Sequence, residues 1–172
     1  MVEDNVLHHL PGAPMPTTNP FSNLWYRFVH PQLRREFTVD LPLEKAWQHL
    51  ACLERWPSWA RHIERVEVEP PGGLGPESRG RLHLTNGLKP VFKVTELEAY
   101  RRWKWAGNFL WLTVHYDHHF EAVSATQTKL TWLVEATGFG VSVLGRLFAK
   151  VYERSLDRAI PSLVQEMNAS RA

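Results

Sequence analysis

Cys52 is the only cysteine among 172 residues. An internal disulfide and a CxxC-type metal knuckle are excluded, and a reducing compartment fits such a chain. No stretch approaches the roughly 18 uninterrupted apolar residues that a membrane-crossing helix needs. A surplus of one charge is missing too: 20 Lys and Arg against 18 Asp and Glu leave a net charge of +2. Phosphate recognition wants a concentrated basic patch, so no nucleic-acid partner is expected. The chain has no Gly-rich phosphate loop, nucleophile elbow, HExxH or zinc-finger spacing, so neither a cofactor nor a metal is expected. The start, Met1-Val2-Glu3-Asp4, is acidic and lacks the basic flank and apolar run of a secretory signal. A cytoplasmic location is the expectation.

What is present is globular. Hydrophobic residues make up 44% and charged residues 22%, enough for one well-filled core. Eight tryptophans stand out, and that much indole lines a large core or an apolar cavity. Residues 1–35 read as an N-terminal arm, partly irregular, because Pro11, Pro14, Pro16, Pro20 and Gly12 break regular structure. Residues 36–170 read as one folded domain.

From Glu36 the pattern is regular. Phe37, Val39 and Leu41 alternate with polar residues, the period of a half-buried strand. Pro42 ends that strand and opens a short helix in PLEKAWQHLACL; Pro57 marks a second helical turn. About six antiparallel strands follow. Leu82 with Leu84, Phe92 with Val94, Trp103 with Trp105, and Leu130, Trp132 and Val134 are spaced to share faces. From about 142 to 169 an apolar stripe through Leu144, Phe148, Val151, Ser155, Ala159, Leu163 and Met167 predicts one long helix, with Ser142 as its cap. Pro161 predicts a kink near 157–161, at a cost of about 3 kcal/mol in a straight helix. The fold class is therefore α+β: a curved antiparallel sheet of about seven strands around a long C-terminal helix, with two short helices after the first strand. The helix is the only element large enough to cover the apolar face, and a sheet gripping it leaves a cavity.

Six stretches carry a family resemblance: FTVDLPLEKAWQHL, LERWPSWARHIERVEV, GPESRGRL, VTELEAYRRWKW, HHFEAVSATQTKLTWLVEATG and the helix after them. In this order the chain from Glu36 to Glu166 resembles the START/polyketide-cyclase superfamily (SRPBCC), which shares the helix-grip fold of the birch-pollen allergens. The resemblance implies an apolar cavity for lipids, isoprenoids, polyketides or aromatic compounds. It carries over no catalytic residue, because the superfamily has no invariant one.

The densest polar cluster is HYDHHF, residues 115–120. On a strand, Leu112, Val114, Tyr116, His118, Phe120 and Ala122 share one face, and His115, Asp117, His119 and Glu121 the other. His118 therefore cannot join its neighbours at one metal. His115 and His119 stand about 13 Å apart along a strand, too far for a shared zinc. Tyr116 and His118 point inward and need partners; the residues alone leave open whether those are protein groups or a ligand.

The ligand-binding cavity is expected to comprise Trp59, Leu82, Leu84, Phe92, Val94, Glu96, Trp103, Trp105, Val114, Tyr116, His118, Phe120, Trp132, Phe148 and Tyr152. Glu96 is included because it shares a period with Phe92 and Val94; a bulge would instead put it in water. The expected partner is a hydrophobic small molecule. The alternative is a cyclase or aromatase type of enzyme in which His118 or Glu96 moves a proton. Arg146, Lys150, Arg154 and Arg158 form a basic ridge on the terminal helix, a surface for weak membrane contact if Glu153 and Asp157 do not neutralise it. No obligate protein partner is evident.

Overall fold

The computed structural model describes residues 32–109, 112–138 and 144–170. Most of the N-terminal arm and Ser142 lie outside these residues, as do the side chains of Arg146 and Phe148. Strand β1 (Gln32–Val39) leads into helix α1 (Leu43–Ala51) and a 3-10 helix (Leu53–Ser58). Six strands follow: β2 (Ile63–Glu69), β3 (Arg79–Leu84), β4 (Val91–Glu98), β5 (Arg102–Phe109), β6 (Leu112–Ser124) and β7 (Gln127–Thr137). Helix α2 (Leu144–Ala169) closes the chain. The strands form one antiparallel sheet in the order β1-β7-β6-β5-β4-β3-β2. Only β1 crosses over, pairing Phe37 with Leu130. The domain's first strand thus begins four residues before Glu36.

Local chemistry explains each junction. Pro42 cannot donate to a ladder but can open a helix, and its carbonyl accepts from Ala46 N at 2.9 Å. The 3-10 helix is tied to α1 by the Trp56 indole, which donates to Leu50 O at 2.9 Å. The Thr128 hydroxyl, fully buried, donates to Leu41 O at 2.8 Å and fixes the corner after β1.

The core fills the space between the sheet's inner face and the helices. Trp47, Trp103 and Phe120 stack as a cluster with ring centroids 4.9–5.1 Å apart. Leu163 and Met167 of α2 are fully buried against this side. Burying such rings supplies most of the driving force, at roughly 25 cal/mol per Å² of apolar surface. α2 stays one helix through Pro161, which stands on its exposed side; Ser162 Oγ takes up Arg158 O at 3.4 Å nearby.

Polar clamps set the helix against the sheet. Arg35 of β1 donates to Glu153 at 2.8 Å and Asp157 at 2.9 Å. At the other end, Glu166 lies 3.0 Å from His49 Nε2 and accepts from Ser58 Oγ at 2.6 Å. Glu153 and Asp157 therefore brace α2 to β1 rather than lacing the ridge, and Lys150, Arg154 and Arg158 are left exposed. No described helix is long and apolar enough to cross a membrane.

Candidate functional site

Between the sheet and α2 lies a pocket of about 190 Å³. That is an order of magnitude more than the roughly 10–15 Å³ one water needs. Its floor is aromatic and aliphatic: Trp56, Trp59, Trp105, Trp132, Ile63 and Leu156. Gly107, Ser155 and Ala159 contribute small groups to its lining. Exposed Asn86, Asn108 and Val151 stand at its mouth.

Strand β6 delivers the polar groups. Its alternation turns Val114, Tyr116 and His118 toward the pocket and leaves His115 exposed. The Tyr116 ring stacks on Trp105 at 3.9 Å, nearly parallel, and its hydroxyl shares a hydrogen bond with that of Tyr152 of α2. Burial pushes both phenols well above their ordinary range, so both stay neutral.

His118 is 7% exposed and wedged between Trp103, with centroids 4.9 Å apart, and Trp132, at 5.3 Å. Its Nδ1 has no hydrogen-bond partner. Burial pushes its pKa down to about 3, against which nearby Asp117 has only a minor effect, so the ring is a neutral imidazole at physiological pH. The indole N–H groups of Trp59, Trp105 and Trp132 are also buried without partners. His62 lines the pocket as well, edge-on to Tyr152 at 6.5 Å, and burial lowers its pKa. Nothing in the sequence pattern marks His62, which follows the 3-10 helix without periodic context.

The fold corrects several expected positions. Glu96 does not enter the pocket: the β4–β5 register slips between Val94 and Glu96, so Thr95 is an extra residue. The slip turns Glu96 to water, where it pairs with Lys104 at 2.9 Å and Arg102 at 3.5 Å. Phe92, Val94 and Trp103 point inward but line a separate hollow of about 10 Å³ near Leu53 and Leu74. Phe120 packs in the core with Trp47 instead of lining the pocket. Of the expected set, Trp59, Leu82, Leu84, Trp105, Val114, Tyr116, His118, Trp132 and Tyr152 meet at the pocket.

The outer histidines form no metal cluster among the described residues. Asp117 accepts from Arg102 Nε at 2.8 Å and Nη2 at 2.7 Å and lies 3.1 Å from His119 Nε2. Burial raises its pKa, but these hydrogen bonds and charges outweigh that and hold it below the ordinary carboxylate value. His115 contacts Thr137 Oγ1 at 3.3 Å instead.

A curled antiparallel sheet closed over one long helix, with an aromatic pocket between them, defines a START-like helix-grip protein. The chain belongs to the polyketide cyclase/dehydrase and lipid transport family, whose model matches residues 30–167. Its fold is similar to that of a START superfamily protein from Mycobacterium smegmatis, at 13% identity and TM-score 0.64 over 80% of this chain and 97% of that one. It is equally similar to the Zhui aromatase/cyclase from Streptomyces sp. R1128, at 15% identity and TM-score 0.65 over 80% and 93%. A hypothetical protein from Helicobacter pylori matches at 14% identity and TM-score 0.67 over 94% and 99%. At these identities the likeness is one of fold. No curated protein matches the chain in sequence. Family and fold together point to hydrophobic-ligand binding or cyclase-type activity.

Proposed function

We propose that this protein binds a small hydrophobic ligand in the pocket between the sheet and α2. The observation that carries this reading is the pocket itself: about 190 Å³ walled by tryptophans and aliphatic side chains, with the polar His118, Tyr116 and Tyr152 in the wall. Such a combination of apolar area and a few polar groups is what ligand sites share. Native mass spectrometry of the purified protein, followed by organic extraction, tests it. A discrete adduct of a small apolar molecule is expected. A bare chain mass, together with no quenching of the tryptophans by a broad apolar panel, would refute the reading.

The cyclase-type alternative is less well supported by the geometry. Glu96 faces water, and an imidazole whose pKa is near 3 is a weak base. Binding therefore stands as the primary role, with proton transfer secondary.

A further inference from the structure

The two large apolar side chains most open to water among the described residues are neighbours. Leu147 is 62% exposed and Val151 57%, one turn apart on α2. At about 100° per residue, Lys150, Arg154 and Arg158 share their side of the helix, and all three are exposed. The five side chains span roughly 100° of the circumference, and no acidic residue falls among them. Glu153 and Asp157 lie to one side, where Arg35 holds both. One guanidinium against two carboxylates leaves −1 there, against +3 along the row. The helix thus shows water a face that is both apolar and net positive.

This face borders the pocket. Val151 stands at the mouth on the helix side, and Asn86, in the turn between β3 and β4, on the sheet side. That turn carries exposed Leu88 and Lys89 and is held by Leu88 N, which donates to Asn86 Oδ1 at 3.1 Å. Charge complementarity selects the partner. Two copies meeting through α2 would set +3 against +3. A nucleic acid would satisfy the cations but leave Leu147 and Val151 in water. An anionic bilayer takes both, with headgroups at the cations and the apolar side chains about 5–10 Å into the acyl boundary.

We infer that the Leu147–Arg158 face of α2, with Leu88 and Lys89, docks reversibly on an anionic lipid bilayer and sets the pocket mouth against its headgroups. Co-sedimentation of the full chain with vesicles tests this. Phosphatidylcholine vesicles with about one third phosphatidylserine should hold the protein at least about tenfold more strongly than phosphatidylcholine alone, because each Lys or Arg near such a surface is worth about fivefold. Sodium chloride at about 0.5 M should abolish the difference by screening. Lys150→Glu with Arg154→Glu should weaken binding to the anionic vesicles at least about tenfold, and Leu147→Ser about three- to tenfold. These positions are exposed, and an unchanged far-ultraviolet circular dichroism spectrum verifies each fold. The matched reversal Arg81→Glu with Lys93→Glu, exposed on the sheet's outer face, should keep binding within about threefold. Equal binding to both kinds of vesicle, or equal loss in the two reversals, would overturn the inference. So would a lipid-free dimer that Leu147→Ser dissolves, which would make this face a contact between copies. Adduct formation is read separately, so failure here leaves the ligand reading standing.

Discussion

Acid should weaken this fold through His118, and the size of the effect can be worked out. The imidazole has an ordinary pKa of 6.5 in the unfolded chain and about 3 in the folded one, because burial between Trp103 and Trp132 disfavours its charged form. Above pH 6.5 it is neutral in both states and contributes nothing to the pH dependence. As pH falls below 6.5 the unfolded chain takes up a proton that the folded chain refuses, so stability is lost, and the loss stops only near pH 3. Each pH unit in that window costs about 1.4 kcal/mol, so by pH 5.0 the loss is about 2 kcal/mol. That is a large fraction of a typical domain stability of about 5–15 kcal/mol. His49 and His62 are also pushed down by burial, so the wild-type acid slope contains their contributions as well. Comparison with His118→Phe isolates the one ring. Urea unfolding at pH 7.5 and 5.0 should show the wild type losing about 2 kcal/mol more than the variant over that interval. Equal losses in the two proteins would refute the placement of His118 as a neutral, unpartnered core group.

Ala159→Phe should fill the pocket from α2 and abolish adduct formation in native mass spectrometry while the far-ultraviolet circular dichroism is unchanged; a retained adduct would mean the ligand sits elsewhere. Gly80→Ala should destabilise the protein by about 1–3 kcal/mol, since the added Cβ would lie 1.9 Å from Glu67 O and 2.8 Å from the Phe92 ring. Chemical denaturation measures this, and an unchanged midpoint would contradict the β2–β3–β4 packing. Trp103→Ala, at a fully buried position, should cost about 3–5 kcal/mol, measured in the same way. Asp117→Asn should leave ligand affinity unchanged within about twofold, because the Arg102 pair lies on the outer face; a large loss in dialysis would place that cluster in the site.

The alternation of Leu112 to Phe120 sorts the six consecutive polar and aromatic residues 115–120 onto two faces, and the sheet keeps that sorting. The apolar stripe from Val151 to Met167 likewise marked the gripping helix, including the small residues Ser155 and Ala159 that line the pocket. Glu96 was misplaced for a definite reason. Period-two reasoning assumes an unbroken ladder, and one extra residue at Thr95 reverses every assignment after it. Phe92, Val94 and Trp103 were assigned to the right face but the wrong space, because facing inward does not say which part of a curled sheet a side chain meets. The pairing beside the basic ridge could not be read locally: Glu153 and Asp157 have basic neighbours on their own helix, yet Arg35, more than a hundred residues earlier in the chain, claims both.

By itself, then, the order of apolar and polar residues determined the elements and their buried faces, since these follow from periods of 2 and 3.6 and from burial of the hydrophobic side. Tertiary structure alone decided that His118 Nδ1 is buried without a protein partner, that carboxylates and guanidinium groups meet outside, and that a cavity remains between the sheet and α2. Hydrogen-bond satisfaction and free volume depend on distances between segments far apart in the chain, and no local pattern encodes them.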